Sequence, residues 1–219
     1  MVHHIVENQS AATVFLNELR DAHIQKDALR FRHNLERLSQ VLAYEASKQF
    51  LYIQKDVETP LGIKKSFFYE DQMVVASVLR AGLPMHYSVL NFFDRAENCF
   101  VSAYRKHHKS GDFEIKLEYV ASPDLNNKVL ILCDPMIATG ASIISTLKEL
   151  KRYGMPKKII VLGIIGSRQG VDAVQNWDED IDIYIGDIDE ELTARGYIVP
   201  GLGDAGDLAF GDKCEASAL

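Results

Sequence analysis

The chain has 219 residues and a formal net charge of −7, from 24 Lys and Arg against 31 Asp and Glu. Such an acidic chain is a poor general binder of nucleic acid, because that affinity comes mainly from cations that neutralise phosphates. The length is sufficient for a full hydrophobic core, and an α/β pattern of this size favours a single domain over residues 1–219.

The cysteines and apolar runs limit the class of protein further. Cys99, Cys133 and Cys214 show no C-x-x-C spacing, so we expect neither a disulfide framework nor a structural zinc site. The longest apolar run, Ile159 to Gly166, is far shorter than the ~18 residues that a membrane helix needs. The sequence therefore predicts a soluble cytoplasmic protein without a membrane partner.

The first fifty residues are predicted to be helical, as part of an N-terminal segment of about residues 1–55. Apolar side chains recur at spacings of three and four from Leu35 to Phe50 and Ile53, which predicts one long helix with a single buried face. A shorter helix through Phe15, Leu16 and Leu19 precedes it. Packing in the core or at a dimer face explains both helices better than a ligand role.

From about Gln72 onward, short runs rich in Val and Ile alternate with helical patterns. These runs are Met73–Leu79, Cys99–Tyr104, Val129–Cys133, Ile159–Ile165 and Ile181–Asp187. Such alternation predicts an α/β fold with a mostly parallel twisted sheet flanked by helices. Residues 142–153 form the best-defined crossover helix, with Gly154 as its stop. The segment Lys106–Ala121 is compatible with a β-hairpin or flap that stands off the sheet.

The strongest chemical motif follows the strand Val129–Cys133 and reads D-P-M-I-A-T-G-A-S from Asp134 to Ser142. In open α/β sheets, ligands lie at the carboxyl ends of strands, and a helix N-terminus suits a phosphate. The Asp134 carboxylate can accept hydrogen bonds from sugar hydroxyls. The alternative interpretation is an ordinary strand–turn–helix with Ser142 as its N-cap.

Two further stretches carry polar or glycine-rich loops. Arg80-Ala81-Gly82 directly follows a strand and can present a guanidinium to a diphosphate, although a surface arginine before a turn is an equally good interpretation. The stretch from Gly196 to Asp207 has a glycine-rich loop whose exposed backbone can read a planar base. A tail packed over the core does not explain so many glycines.

Together these motifs resemble those of type I phosphoribosyltransferases, specifically the uracil phosphoribosyltransferase family. The resemblance covers roughly residues 28–213 and includes D-P-M-I-A-T-G-A-S, L-R-A-G-L and G-Y-I-V-P-G-L-G-D-A-G-D-L-A-F-G, with Tyr44-Glu45-Ala46 and Thr59-Pro60-Leu61 before them. It implies the fold of that family, with N-terminal helices, a β-arm and a small hood with the uracil-binding tail at about residues 190–213. It also implies transfer of a ribosyl 5-phosphate from phosphoribosyl diphosphate to uracil, giving UMP and diphosphate.

The resemblance also implies a role for each matching residue. Asp134 would hold the ribose hydroxyls, Arg80 and Arg105 the diphosphate, and Asp204 would contact the donor. The implied donor-binding loop comprises Asp134, Pro135, Met136, Ile137, Ala138, Thr139, Gly140, Ala141 and Ser142. Uracil would be read by Ile198, Gly203, Asp204 and Ala205, and the implied catalytic residues are Asp204, Arg105 and Asp134.

The expected cofactor is Mg²⁺, held largely by the diphosphate of the substrate, and no metal ligands of the protein are assigned. The expected partners are uracil, phosphoribosyl diphosphate and further copies of the chain, as a homodimer or higher homo-oligomer. No nucleic-acid partner is expected, and the sequence does not address a GTP effector.

The sequence departs from the family pattern in three places. Ala141 replaces a glycine, Pro84 and His86 replace a glycine and a methionine, and Lys106 to Gly111 replaces an acidic arm. The altered arm is compatible with a weakly active or non-catalytic sensor of the donor or UMP. Use of another base is a third interpretation, and the intact tail argues against it.

Overall fold

The computed structural model describes residues 1–107 and 113–213, with side chains described outside residues 103–117. The α-helices are α1 (Ala11–Arg20), α2 (Ala28–Ser47), α3 (Leu83–Phe92), α4 (Ala141–Leu150), α5 (Arg168–Trp177) and α6 (Ala205–Phe210), and single 3₁₀ turns lie at Ile24–Lys26 and Lys151–Tyr153. No helix in this part of the chain is long and apolar enough to cross a membrane.

The strands are β1 (Val2–His4), β2 (Tyr52–Thr59), β3 (Gly62–Tyr69), β4 (Met73–Leu79), β5 (Glu97–His107), β6 (Phe113–Ala121), β7 (Val129–Cys133), β8 (Met136–Ile137), β9 (Lys158–Ser167), β10 (Asp182–Asp189), β11 (Glu191–Leu192) and β12 (Ile198–Val199). The main sheet has the order β1-β10-β9-β7-β4-β5-β6, and β8 pairs with β9. All of its pairs are parallel except β5–β6. This confirms the predicted α/β fold with a mostly parallel sheet.

Strand connectivity determines where a ligand can bind. The strands β5-β4-β7-β9-β10 follow the doubly wound order 2-1-3-4-5, and the chain leaves β4 towards one side of the sheet and β7 towards the other. A crevice opens at such a switch point, outside the carboxyl ends of the two strands. The loops that follow β4 and β7 are the Arg80 loop and the Asp134 loop, so both predicted anion-binding loops start at this crevice.

Side chains of the central strands alternate between two hydrophobic cores. On β7, Val129, Ile131 and Cys133 pack on the side of α1, α2 and α3, whereas Leu130 and Leu132 pack on the side of α4 and α5. Helices cover both faces, which is why these strands are apolar at nearly every position.

The prediction that the long helix continues through Phe50 to Ile53 is wrong. Helix α2 ends at Ser47, Phe50 lies in the turn that follows, and Ile53 belongs to β2. After Ser47 the backbone N–H of Lys48 bonds to Glu45 and Ala46, which tightens and ends the helix. The chain then forms a separate antiparallel hairpin, β2–β3, that turns at Pro60 and Leu61. Residues 2–4, predicted as helix, form the edge strand β1.

Candidate functional site

The Asp134 loop begins where β7 ends in the middle of the sheet. The Asp134 side chain is nearly buried, and its Oδ1 accepts a hydrogen bond of 3.3 Å from the backbone N–H of Met136. The loop continues through β8 and turns at Gly140 into α4. A small open cavity follows it, lined by Met136, Ile137, Ala138, Thr139, Gly140, Ser142 and Ile143. Six of the nine predicted donor-loop residues therefore line one cavity at the crevice.

The start of α4 shows which residue is the N-cap and whether the backbone at Ala141 is strained. Gly140 is the N-cap and adopts φ 75°, a left-handed conformation, whereas Ala141 is the first helical residue. The alternative interpretation with Ser142 as N-cap is therefore wrong, because Ser142 already lies within the first turn. Since the positive φ falls on Gly140, the β-carbon of Ala141 causes no backbone strain. The first-turn N–H groups of α4 point towards the cavity end of the helix and suit an anion.

The sequence analysis missed the residues that support this loop from α5. The Ser167 hydroxyl donates to the carbonyl of Ala138 at 2.5 Å and accepts from the N–H of Gly170 at 2.9 Å. A β-carbon on Gly170 would lie 2.1 Å from the same carbonyl oxygen. The only sequence signal for this support is G-S-R-Q-G, from the last residues of β9 into the first turn of α5, and it matches no motif.

The Arg80 loop packs against the end of β7. Gly82 ends this loop, and a β-carbon there would lie 2.6 Å from the carbonyl oxygen of Cys133 and 2.7 Å from that of Val78. Only glycine allows this approach, which places Arg80 beside the Asp134 loop. The Leu79–Arg80 peptide bond is cis.

The guanidinium of Arg80 binds the C-terminal tail. Its Nη2 donates to Oδ1 of Asp207 at 2.6 Å and its Nη1 to the carbonyl of Gly211 at 3.1 Å. Asp204 is the N-cap of α6, and its Oδ1 accepts from the N–H of Asp207 at 3.0 Å. Arg80 is predicted to bind the diphosphate, and Asp204 is predicted to contact the donor. The two residues therefore lie next to each other at the first turn of α6.

The predicted base-reading residues form a compact turn before α6. Ile198 lies buried in β12, which pairs with β11, and Ala205 is buried at the start of α6. Gly201 and Gly203 adopt φ values of 60° and 93°, which L side chains rarely adopt. A β-carbon on Gly201 would lie 2.1 Å from the carbonyl oxygen of Ile198, so the turn depends on glycine here.

The N-terminal helices hold this tail, a role that the sequence did not reveal. Arg20, the last residue of α1, donates to the carbonyl of Gly201 at 2.9 Å. Arg32 of α2 donates to the carbonyl of Ala209 in α6 at 2.7 Å. A long-range arginine–carbonyl bond leaves no local pattern in the sequence, which is why neither arginine could be recognised from it.

The substitutions in α3 are accommodated in a regular helix. Pro84 lies in the first turn, where its missing N–H has no helical partner to lose. His86 is fully buried, and its Nε2 lies 2.9 Å from Oδ1 of Asn98. Burial lowers the pKa of His86, so the ring is neutral near pH 7 and adds no charge beside the Arg80 loop.

Cys133 is an inert core residue. It is fully buried, and burial raises the pKa of its thiol far above the usual range. A thiol that stays protonated is neither a nucleophile nor a metal ligand.

The arm is only partly described. β5 and β6 pair in antiparallel fashion from Phe100–Ala121 to His107–Phe113, so a hairpin is present. The predicted bounds and placement are wrong: the first strand begins at Glu97, and both strands belong to the main sheet, where β6 is the edge strand, instead of standing off it. The side chain of Arg105 and residues 108–112, including His108, lie outside the described part of the chain, so the role of Arg105 stays a prediction.

Comparisons with known proteins identify the family of the chain. The family model described as uracil phosphoribosyltransferase matches residues 6–212. The chain belongs to the uracil phosphoribosyltransferase family.

Relatives of this family match over nearly their whole length. A uracil phosphoribosyltransferase from Porphyromonas gingivalis is 47% identical over 211 residues, covering 96% of this chain and 98% of the relative. One from Thermococcus gammatolerans is 38% identical over 199 residues, covering 90% and 87%. The solved structure of the AQ2163 protein from Aquifex aeolicus is 28% identical, with a TM-score of 0.85, and covers 96% of this chain and 98% of that one. The family match therefore extends to most of the N-terminal segment, beyond the motifs from which it was predicted.

Proposed function

We propose that the chain transfers the ribosyl 5-phosphate of phosphoribosyl diphosphate to N1 of uracil, releasing UMP and diphosphate, in pyrimidine salvage. One observation carries the proposal beyond family membership. The Asp134 loop, the Arg80 loop and the glycine-rich tail, which are far apart in sequence, meet at the switch point of the sheet. The Asp134 loop supplies contacts for the 5-phosphate and the ribose, and the Arg80 loop supplies a cation for the diphosphate. The tail supplies the site for the base next to them.

Each part of the site has a separate task in this reaction. The first turn of α4, with the hydroxyls of Thr139 and Ser142, binds the 5-phosphate. The Asp134 carboxylate accepts hydrogen bonds from the ribose hydroxyls. Arg80, together with Arg105 of the arm, stabilises the negative charge that grows on the leaving diphosphate. Positioning of the two substrates accounts for much of the remaining rate enhancement, without a covalent nucleophile.

The base lies against the backbone of the tail. A planar pyrimidine with alternating donors and acceptors fits main-chain groups at Ile198, Gly203 and Ala205, which a rigid turn holds in place. The Asp204 side chain, 41% exposed at the start of α6, faces the junction between this turn and Arg80.

Mg²⁺ fits the hard oxygen donors of this site. In the described ranges 1–107 and 113–213, no group of three or more His, Cys, Asp or Glu side chains is arranged to hold a metal ion by itself. A Mg²⁺ ion would therefore take most of its ligands from the diphosphate and water. When bound, it neutralises charge on the leaving group.

The test is UMP formation from labelled uracil and phosphoribosyl diphosphate with Mg²⁺, with cytosine, hypoxanthine and orotate as parallel bases. We expect turnover with uracil alone. Turnover with another base would overturn the assigned substrate. Donor binding without turnover of any base would favour the sensor, and the arm would then be exchanged for an acidic one.

The ion pair between Arg80 and Asp207 predicts an effect on donor affinity. We expect Asp207→Asn to lower the KM for phosphoribosyl diphosphate by up to about fivefold, because an exposed pair is worth up to about 1 kcal/mol and competes with the diphosphate for Arg80. Asp212→Asn is the matched control, since it removes the same charge from an exposed position nearby. A higher KM in Asp207→Asn would mean that Asp207 helps to position Arg80 for the donor.

We also propose that the chain forms a homodimer through the β2–β3 hairpin, in a cytoplasmic protein. Leu61, Ile63, Phe67 and Phe68 are all exposed there, on a hairpin that does not belong to the main sheet. Such a cluster of apolar side chains is typical of an interface. Ile63→Lys with Phe67→Lys should shift the mass measured by analytical ultracentrifugation towards that of the monomer. Lys64→Ala, on the opposite face of the same strand, should not. A wild-type monomer would contradict the proposal.

A further inference from the structure

The carboxyl end of β10, the end of α1 and the tail are joined by one partly buried charge cluster. Arg20 donates from Nη1 and Nη2 to the two carboxylate oxygens of Asp189, at 2.8 and 2.9 Å. Its Nη2 also donates to Oδ2 of Asp187 at 2.9 Å. The side chains of Arg20 and Asp189 are only 17% and 7% exposed, so water screens this cluster weakly.

The cluster holds both polar groups of a single residue in the tail. The carbonyl of Gly201 accepts from Nη1 of Arg20, and the N–H of Gly201 donates to Oδ2 of Asp189 at 3.1 Å. Gly201 is the left-handed residue of the turn between Ile198 and Gly203. Its peptide orientation therefore sets where the main-chain groups on either side of it point.

The position of Arg20 is itself fixed by the core. Leu16 and Leu19, one turn and one residue before it, are buried between α1 and the rest of the first core. The helix cannot shift without exposing them, so the guanidinium reaches the tail from a rigid support. The planar guanidinium of Arg20 donates to two carboxylates and a carbonyl at once. The single ammonium group of a lysine cannot make these bonds in the same geometry.

We propose that Arg20 is a positioning residue for the pyrimidine base: with Asp189 it orients the Gly201 peptide and thereby the main-chain groups that read uracil. This inference rests on the proposed function. It assigns a task to α1, which contains no motif residue, and it separates the base site from the donor site. The donor loops at the ends of β4 and β7 make no contact with Arg20 in the hydrogen bonds described above.

The experiment compares Arg20→Lys with wild type. Lysine keeps the charge that Asp187 and Asp189 need, but it cannot bond both carboxylates and the carbonyl of Gly201 at once. We expect the KM for uracil to rise at least about tenfold with the KM for phosphoribosyl diphosphate nearly unchanged, because a small misplacement of the base costs much binding. Arg30→Lys is the matched control, since Arg30 makes a two-bonded pair with Glu18 of α1 and does not contact the tail.

A second readout does not depend on turnover. Amide hydrogen exchange in residues 198–205 should become faster in Arg20→Lys and stay as in wild type in Arg30→Lys. An unchanged uracil KM with unchanged exchange in the tail would overturn the role of Arg20. So would equal changes in both KM values together with a lower Tm, which indicate a general loss of structure. If wild type does not turn over uracil, the proposed function fails, and the exchange experiment still decides whether Arg20 orders the tail.

Discussion

Replacing Asp204 by asparagine should lower kcat for UMP formation by about 100-fold, the size of effect seen when one charged or polar group that stabilises a transition state is removed. Asp204 caps α6 through Oδ1, and asparagine caps helices about as well as aspartate. The substitution therefore removes the negative charge next to Arg80 and the base-reading turn and leaves the local fold in place. Steady-state kinetics with both substrates, together with a thermal melt, measure the two effects separately.

Asp212→Asn is the control for Asp204→Asn. It changes the net charge equally, at an exposed position beyond the end of α6. We expect wild-type kinetics for it and a Tm close to that of wild type for both variants. Normal turnover by Asp204→Asn would remove Asp204 from the reaction.

The second large effect is expected at Gly170, outside every recognised motif. A β-carbon there would lie 2.1 Å from the carbonyl oxygen of Ala138 and 2.7 Å from that of Ile137, both backbone atoms of the donor loop. Gly170→Ala must therefore push the loop away from α5 and stretch the Ser167 bonds. We expect a loss of about 1–3 kcal/mol in the free energy of unfolding, as for other overpacked sites. The KM for the donor should rise as well.

Gln169→Ala separates this steric effect from a general effect on α5. Gln169 is exposed on the same helix, one residue away. We expect it to leave the free energy of unfolding and the donor KM unchanged. If Gly170→Ala binds the donor as wild type does, the packing of α5 does not define the geometry of the loop.

The sequence predicted the buried strands best, because their apolar runs have few alternatives. Met73–Leu79 and Val129–Cys133 appear with the predicted bounds, and the crossover helix ends before Gly154. Strands that are covered on both faces have continuous apolar sequences. They can therefore be recognised without knowing which strands lie next to them in the sheet.

The β2–β3 hairpin was missed because its apolar residues continued the helical spacing. Ile53 is three residues after Phe50 and fits the same face by counting, although the backbone has already left the helix. Two runs of β-branched and aromatic residues flank Pro60-Leu61-Gly62 and are a hairpin signal. That signal competes with a periodic pattern from the long helix, and only pairing with the second strand decides between them.

Within the candidate site, motif residues were predictable and their supports were not. Asp134 and Arg80 follow strands directly, so local sequence places them at the crevice. Arg20 acts on residues more than 160 positions away, at Asp187, Asp189 and Gly201. No spacing rule encodes such a contact, because it depends on how α1 packs against the finished sheet.

The edge strand β1 has a consequence for the order of events during synthesis. Val2, His3 and His4 pair with Ile183, Tyr184 and Ile185, so β1 must wait for a strand that is translated much later than β1 itself. Until then β10 is either absent or the open edge of the sheet, and Arg20 has no carboxylates to bind. Strand β1 and Arg20 therefore take their final places only after β10 has left the ribosome, and the base site, which depends on Arg20, is complete only after that step.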